Sequence, residues 1–305
     1  MNCIVTGGAG FVGSNLVDKL IDQGHRVAVF DNFATGSQDN VNPKAILYNL
    51  DIRLDLCADG PGETYLDGHE DVPYVIGEID FVPDVIFHLA ALARIQPSFG
   101  RPHETLSVNC DGTVRVLELA RRLNSKVVYA GSSSFYADPH KNPYAHSKWI
   151  GEEHCKMYNK VYGMSTCVAR FFNVYGNRHV RSGDNAAMLG IFERQKMAGE
   201  PITVTGTGEQ RRDFTHVDDI CDGLIAMSRD AWNGEVFNLG RGCNYSVNEV
   251  AAMLKPAEIK HIDARPGEAW TTLADIAFSK EKLGWEPKRN LPEYVATFLE
   301  TLNEK

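Results

Sequence analysis

A glycine-rich segment near the start of the chain constrains the fold most. Residues 3–14 read CIVTGGAGFVGS, a short apolar run that meets three glycines and continues with apolar residues at helical spacing. This pattern predicts a strand, a tight turn and a helix. The turn needs glycines because side chains there would keep a pyrophosphate away from the amides at the helix N-terminus. The segment therefore predicts a dinucleotide site formed by Gly7, Gly10, Phe11, Val12 and Gly13.

A carboxylate at the end of the next apolar run indicates which dinucleotide binds. Residues 26–30 read RVAVF and lead directly into Asp31, eighteen positions after Gly13. A carboxylate at this point suits the two ribose hydroxyls of NAD and repels the additional phosphate of NADP. The sequence therefore predicts NAD as the cofactor.

Strands and helices alternate along the first 176 residues, which is typical of an α/β fold. Apolar runs at 84–89, 126–130 and 165–171 predict strands, and 106–123 and 144–162 predict helices, the first with Leu106, Cys110, Val114 and Leu117 on one face. Residues 54–83 are acidic and broken by prolines, so we expect loops and one short helix there. The fold predicted is a Rossmann-like, doubly wound parallel sheet over 1–176, with 214–240 returning to it, and a smaller α/β substrate-binding region over 177–305.

Charge and cysteine usage narrow the class of protein. The net charge is −9, and no basic stripe with interleaved aromatics is present, which argues against a nucleic-acid partner. No segment has the length of a membrane span, and the chain enters its first strand without a secretory signal. Seven scattered cysteines without a C-x-x-C pair predict reduced thiols of a cytoplasmic protein and no zinc site.

Three polar residues carry the predicted chemistry. Tyr144 and Lys148 lie four positions apart on a predicted helix, so their side chains share one face. A phenol with a pKa near 10 is a poor base unless a nearby cation favours the phenolate, and Lys148 is placed to supply that cation. Ser132 ends the preceding strand and can bind the same substrate oxygen. Together they predict proton transfer at a carbinol beside a hydride acceptor.

Several blocks together resemble the extended short-chain dehydrogenase/reductase family, and within it the nucleotide-sugar epimerases and dehydratases. Beyond the glycine turn and the Tyr144–Lys148 pair, they include HLAA at 88–91, N-x-x-G-T at 109–113, RFFN at 170–173, G-x-G-x-Q-x-RDF at 206–214 and RPGE at 265–268. The resemblance implies a homodimer formed through the helices 106–123 and 144–162. It also implies NAD and a nucleotide sugar, with a UDP-sugar favoured, as ligands.

The resemblance implies two sets of binding residues. For NAD they are Asp31 at the adenosine ribose, Asp51 and Ile52 at the adenine, Lys148 at the nicotinamide ribose, and in addition Asn32, Thr35, Gly36, Leu89, Ala90, Ala91, Asn109, Tyr144 and Phe171. For the substrate they are Asn173, Arg212 and Arg265 at the diphosphate, Thr203 and Val204 near the base, Ser133 and Ser134 near the sugar, and in addition Arg94, Met188, Glu268 and Thr272.

The residues after Ser132 bear on the reaction. Dehydratases and decarboxylating members of the family keep an acid there, whereas this chain has Ser133, Ser134 and Phe135. The sequence thus favours a 4-epimerase, in which Tyr144 removes the O4 proton, hydride leaves C4, the 4-keto sugar rotates, and hydride returns to the opposite face. The alternatives are a dehydratase or reductase with the same three residues, and a non-catalytic protein that binds NAD or a nucleotide sugar.

One residue bears on the size of the sugar, and three differences from the family bear on the identity of the substrate. Thr272 stands seven residues after Arg265, where the family gates the substituent at C2, and its small side chain favours an N-acetyl group. The loop 138–143 is shorter than in the family and 54–81 is longer. Ala187 and Met188 replace an expected amide-bearing contact. These departures point to an altered substrate.

Overall fold

The structure, a computed structural model, describes residues 1–54, 56–57 and 79–303. Its strands are β1 (Asn2–Thr6), β2 (Arg26–Asp31), β3 (Ile46–Asn49), β4 (Val85–His88), β5 (Lys126–Ser132), β6 (Thr166–Phe171), β7 (Val174–Tyr175), β8 (Ile202–Thr205), β9 (Arg211–Asp213), β10 (Thr215–His216), β11 (Asn233–Leu239), β12 (Asn244–Ser246) and β13 (Ile259–Ile262). Its α-helices are α1 (Phe11–Asp22), α2 (Ile95–Gly100), α3 (Pro102–Leu106), α4 (Gly112–Leu123), α5 (Pro143–Tyr162), α6 (Met188–Ala198), α7 (Val217–Ser228), α8 (Val247–Met253), α9 (Ala277–Leu283) and α10 (Leu291–Asn303).

A seven-stranded sheet forms the centre of the fold. Its strand order is β11-β6-β5-β4-β1-β2-β3, and every neighbouring pair is parallel. The strands are apolar runs because helices cover both faces of a parallel sheet. The chain leaves β1 toward β2 and β3 on one side and returns to β4, β5 and β6 on the other. Such a reversal opens a crevice at the carboxyl ends of the strands.

A second, smaller core holds the later part of the chain together. The parallel pair β8 and β13 and the antiparallel pair β9 and β12 pack with α6, α8 and α10. Apolar side chains that are fully or almost fully buried fill this core, among them Phe192, Val204, Val250 and Leu291. It lies across the carboxyl ends of the main sheet, and it forms the other wall of the crevice.

The predicted fold class is confirmed, and most predicted elements lie within two residues of their observed bounds. The helix predicted over 106–123 differs, because helical structure begins at Pro102 and passes through a π-helical turn at Ser107–Asp111. Of the predicted face, Leu117 is fully buried and Cys110 is half-buried, and Val116 and Ala120 are buried in addition. Strand β11 lies at the edge of the main sheet beside β6. The domain boundaries stay a prediction, and most of 54–83 lies outside the described residues.

Other sequence-based expectations concern metals, membranes and thiols. Within the described part of the chain, no group of three or more His, Cys, Asp or Glu side chains could hold a metal ion. None of the described helices combines the length and apolar character needed to cross a membrane. Cys3, Cys155, Cys167 and Cys221 are buried free thiols, and Cys243 is an exposed one.

Candidate active site

A cavity of about 530 Å³ lies between the carboxyl ends of the main sheet and the second core. Its walls come from the glycine turn after β1, the ends of β2, β4 and β5, the first turns of α5, and the segments 173–192, 203–214 and 265–272. Elements from both halves of the sequence thus meet around one space. The cavity is where we expect cofactor and substrate to bind.

The glycine turn fits a dinucleotide because it has no room for side chains. Gly7 has a φ of +72°, and a Cβ on it would lie 2.7 Å from the amide nitrogen of Ala90. A Cβ on Gly13 would lie 2.1 Å from the carbonyl oxygen of Gly7. No side chain caps α1, whose N-cap is Gly10. The free amides at this helix N-terminus therefore face the cavity as an anion site.

Two carboxylates define the adenosine end of the cavity. Asp31 accepts hydrogen bonds from the amides of Ala9, at 2.9 Å, and Phe33, at 2.8 Å, which fixes its carboxylate against the glycine turn. Asp51 accepts from the side chains of Asn32 and Arg53. Burial opposes ionisation of Asp51, but these hydrogen bonds and the Arg53 charge outweigh it and lower its pKa. Both groups are therefore held ready as acceptors for ribose and adenine.

The three predicted catalytic residues line the cavity, and two of them are in direct contact. The Tyr144 hydroxyl donates to Ser132 Oγ at 3.2 Å. Ser134 donates to the same oxygen from its amide, at 3.2 Å, and from its hydroxyl, at 2.9 Å. The Asn142 side chain caps α5 by accepting from the amide of Ala145 at 2.8 Å. This cap fixes the first turn of the helix, and with it the position of Tyr144.

The electrostatic environment of Tyr144 includes a second cation. Burial raises its pKa, while the hydrogen bond to Ser132 and the positive charge of Arg94 oppose the rise. Arg94 therefore favours the phenolate in the structure, and the same effect of Lys148 stays a prediction. Burial lowers the pKa of Lys148 to about 8, against the effect of the Glu152 carboxylate. Its ammonium lies 4.5 Å from the centre of the Tyr129 ring.

A buried ion pair joins α5, the helix that carries Tyr144 and Lys148, to β6. Glu152 lies one helical turn after Lys148 and binds Arg170 through bonds of 2.6, 3.1 and 3.2 Å. The Arg170 guanidinium stacks 3.5 Å from the centre of the Phe135 ring, directly after the three serines. A charged pair out of water is costly to break, so it fixes α5 against β6.

Arginine and amide groups line the opposite wall. Arg212 forms an ion pair of 3.4 Å with Glu268. Asn173 donates to the carbonyl oxygen of Asp213 at 2.9 Å and to Thr272 Oγ1 at 3.3 Å. Arg265 is exposed at the cavity mouth. These groups provide the donors that a diphosphate would need.

The segment 265–270 is held over the cavity by side chains from the first half of the chain. Gln96, Lys141 and Asn142 donate to the carbonyl oxygens of three consecutive residues, Pro266, Glu268 and Gly267 respectively. Lys141 and Asn142 belong to the loop between Ser132 and Tyr144, which the sequence analysis found unusually short. This short loop therefore serves as an anchor for the segment that closes the substrate side.

Three predicted binding residues do not line the cavity. A Cβ on Gly36 would lie 2.9 Å from the backbone of Ala9, so this glycine allows close packing behind the turn. Asn109 lies in the π turn, and its side chain binds both backbone groups of Leu92. Val204 is fully buried in the second core, because neighbouring strand residues face opposite sides.

All other predicted site residues lie on the cavity wall. They are Gly7, Gly10, Phe11, Val12, Gly13, Asp31, Asn32, Thr35, Asp51, Ile52, Leu89, Ala90, Ala91, Arg94, Ser132, Ser133, Ser134, Tyr144, Lys148, Phe171, Asn173, Met188, Thr203, Arg212, Arg265, Glu268 and Thr272. The cavity wall also includes His179, Gln210 and Phe214, which were not predicted from the sequence. Gln210 could have been predicted, because it lies within the G-x-G-x-Q-x-RDF block at 206–214.

The sequence and the structure of the chain are both similar to those of known proteins. The model of the NAD dependent epimerase/dehydratase family matches residues 3–240. The putative UDP-glucose 4-epimerase of Methanocaldococcus jannaschii is 34% identical over 96% of this chain and 95% of its own. UDP-glucuronic acid decarboxylase 1 of Xenopus tropicalis is 33% identical over 95% of this chain and 69% of its own. The structure of a Thermotoga maritima UDP-glucose 4-epimerase with UDP-glucose superposes with a TM-score of 0.87, at 30% identity, covering 100% of this chain and 99% of the other.

The parallel sheet, the glycine turn and the Ser-Tyr-Lys constellation define a dinucleotide-dependent enzyme of the Rossmann type. The chain belongs to the NAD-dependent epimerase/dehydratase family of UDP-sugar enzymes. NAD is the cofactor of this family, and the glycine turn with Asp31 fits it. The relatives include both epimerases and decarboxylases, so membership alone leaves the reaction open.

Proposed function

We propose that the protein is a UDP-sugar 4-epimerase that interconverts UDP-glucose with UDP-galactose and their N-acetyl forms. The observation that carries this proposal is the Tyr144 hydroxyl 3.2 Å from Ser132 Oγ, with no carboxylate in the three positions after Ser132. One acid/base group suffices for 4-epimerisation, whereas a dehydratase must also protonate a leaving hydroxyl. Bound NAD supplies the acceptor and the donor for the hydride at C4.

Each residue of the constellation has a separate role in the proposal. Tyr144 takes the O4 proton when the keto sugar forms and returns it when the alcohol is restored. Ser132 Oγ binds the same substrate oxygen and orients the phenol. Lys148 donates to the nicotinamide ribose. Arg212 and Arg265 hold the diphosphate, which leaves the sugar free to turn over between the two hydride transfers.

The sugar pocket supports acceptance of N-acetyl forms. Thr272 is buried on the cavity wall, where its hydroxyl accepts from the amide of Asp213 at 3.2 Å and from Asn173. These bonds hold the small side chain against the wall and away from the sugar. A large side chain here would fill the space that we assign to the C2 substituent.

The proposal is tested by incubating the purified protein with candidate substrates, without added cofactor. UDP-glucose, UDP-galactose and the two N-acetyl forms are supplied separately, and products are resolved by chromatography. Formation of the 4-epimer by the wild type but not by Tyr144→Phe supports the proposal. A product that has lost water or carbon dioxide would contradict it.

We also infer that two copies associate through the α4 and α5 helices. The C-terminal half of α5 exposes Met157, Val161 and Tyr162, of which Val161 is 62% exposed. Apolar side chains grouped on one helix favour a protein contact. Light scattering should give a dimer mass for the wild type and a monomer for Val161→Glu. A monomeric wild type would contradict this inference.

The free thiols support a location in the cytoplasm. Cys3, Cys155, Cys167 and Cys221 are buried single thiols, and a reducing compartment keeps such groups unpaired. Fractionation of cells that express the protein would test this, and recovery outside the cytoplasm would contradict it.

A further inference from the structure

The roles assigned so far do not explain the contacts of the Arg94 guanidinium. It lies just after the turn that follows β4, and its side chain lines the cavity. Its Nε donates to the carbonyl oxygen of Asn185 at 2.7 Å, and Nη1 makes a long bond of 3.4 Å to the Ala93 carbonyl. Its Nη2 has no hydrogen-bond partner among the described residues. One edge of the guanidinium is therefore held by backbone carbonyls, and the donors of Nη2 remain available to a ligand.

The charge of Arg94 lacks a counter-charge among the residues that the structure describes. Arg53 and Arg212, which share the cavity, are paired with Asp51 at 2.6 Å and with Glu268 at 3.4 Å. No described carboxylate comes within 4.0 Å of Arg94. Burial lowers the pKa of Arg94, which reflects the loss of water around its charge. A cation that has lost water and faces a cavity is a site for an anion.

The location of Arg94 distinguishes it from the phosphate sites. The pyrophosphate of the cofactor belongs at the glycine turn, and the diphosphate of the substrate belongs at Arg212 and Arg265. Arg94 instead lines the same cavity as Ser132 and Tyr144, whose hydroxyl marks the position of the sugar O4 in the proposed function, and its charge acts on that phenol. We therefore assign the unpaired donors of its guanidinium to the part of the cavity that receives the sugar.

We propose that Arg94 forms a carboxylate subsite, and that the preferred substrate is a UDP-sugar with a carboxylate next to C4. This inference rests on the proposed 4-epimerase function and names its substrate class. The carbons beside C4 are C3 and C5, so the group is a uronate carboxylate on C5 or a carboxylate attached through the C3 oxygen. Two parallel N–H donors of the guanidinium suit either one. Neutral sugars would leave the charge of Arg94 without a partner.

The experiment compares acidic and neutral substrates in the NAD-containing protein. Conversion of UDP-glucuronate, UDP-N-acetylmuramate and UDP-glucose to their 4-epimers is followed by chromatography, and the kcat/KM for each is measured. Wild type, Arg94→Gln, Arg94→Lys and the control Arg101→Gln are assayed together. Arg101 is a nearby exposed arginine outside the large cavity, so it controls for loss of positive charge. Calorimetric Kd values for the same UDP-sugars give a readout independent of turnover.

The proposal predicts a change in preference. Wild type and Arg101→Gln should favour one acidic substrate, and Arg94→Gln should lower the acidic-to-neutral ratio of kcat/KM by roughly tenfold to a hundredfold, as expected for the loss of a charged hydrogen-bonded pair. Arg94→Lys should restore part of the ratio. Which acid responds distinguishes a C5 carboxylate from one attached at C3.

Other results separate failure of the subsite from failure of the epimerase. Equal losses on acidic and neutral sugars, or an Arg94→Gln protein that no longer retains NAD, would overturn the subsite. A wild type that epimerises only neutral sugars would also overturn it and leave the epimerase standing. Conversion of UDP-glucuronate to a pentose by loss of carbon dioxide, reduced in Arg94→Gln, would support the subsite and contradict the epimerase.

Discussion

The buried ion pair between Glu152 and Arg170 should make the stability of the protein sensitive to the substitution Glu152→Gln. The side chains of Glu152 and Arg170 are 1% and 7% exposed, and their shortest bond is 2.6 Å. A glutamine amide in place of the carboxylate would keep the shape but leave the guanidinium buried without a counter-charge. Such a loss costs about 3–5 kcal/mol. At about 2 °C per kcal/mol for a chain of this size, Tm should fall by roughly 6–10 °C.

The adjacent residue of the same helix provides a matched control. Glu153 forms an ion pair with Lys156 at 2.7 Å, but their side chains are 48% and 41% exposed. Glu153→Gln should therefore cost less than about 1 kcal/mol. Thermal unfolding is followed by circular dichroism at one fixed NAD concentration, because bound cofactor raises Tm.

A double variant tests the reasoning further. Replacing both Glu152 and Arg170 by Met removes the unpaired charge, so its cost should be smaller than the sum of the two single replacements by about 2 kcal/mol or more. Similar small Tm changes for Glu152→Gln and Glu153→Gln would refute the argument that burial makes this pair important. Additive single and double replacements would refute the coupling.

Three changes at the site have separate expected outcomes. Tyr144→Phe should lower turnover by roughly 10²–10⁴-fold, because the proton acceptor is lost, while absorbance shows that NAD is retained; loss of NAD together with activity would count against this role. Thr272→Tyr should reduce turnover of N-acetyl sugars roughly tenfold more than that of the parent sugars in a chromatographic assay, and equal losses would refute the gate. Burial lowers the pKa of Lys148 from 10.5 to about 8. Between these two pH values Lys148 is protonated in the unfolded chain and neutral in the folded chain. The unfolding free energy of the wild type, relative to that of Lys148→Met, should therefore rise by about 3 kcal/mol as the pH rises through this window. Urea unfolding at both ends of the window measures the gain, and a difference that does not change with pH would contradict it.

Local patterns predicted the cofactor side of the cavity well. The glycine turn, its helix and Asp31 lie within one βαβ unit, whose geometry follows from short-range spacing. The Tyr144–Lys148 pair depends only on the helical repeat. Their positions on the wall could therefore be inferred before any long-range contact was known.

Features that depend on long-range packing were less accessible. The π turn at 107–111 directs Asn109 toward the backbone of Leu92, and nothing in the helical pattern marks that turn. Thr203 and Val204 were both assigned to the base, although strand alternation places only Thr203 on the wall. The effect of Arg94 on Tyr144 joins positions 50 residues apart, so it could not be read from spacing.

The central claim is that hydride leaves C4 and returns to C4 within one active site. The most direct measurement uses the UDP-sugar that the protein converts fastest, labelled with deuterium at C4, in ordinary water without added cofactor. The account predicts a 4-epimer of unchanged mass that keeps its deuterium at C4 by mass spectrometry and NMR. Exchange of the label with solvent, or a product formed by loss of water or carbon dioxide, would contradict it.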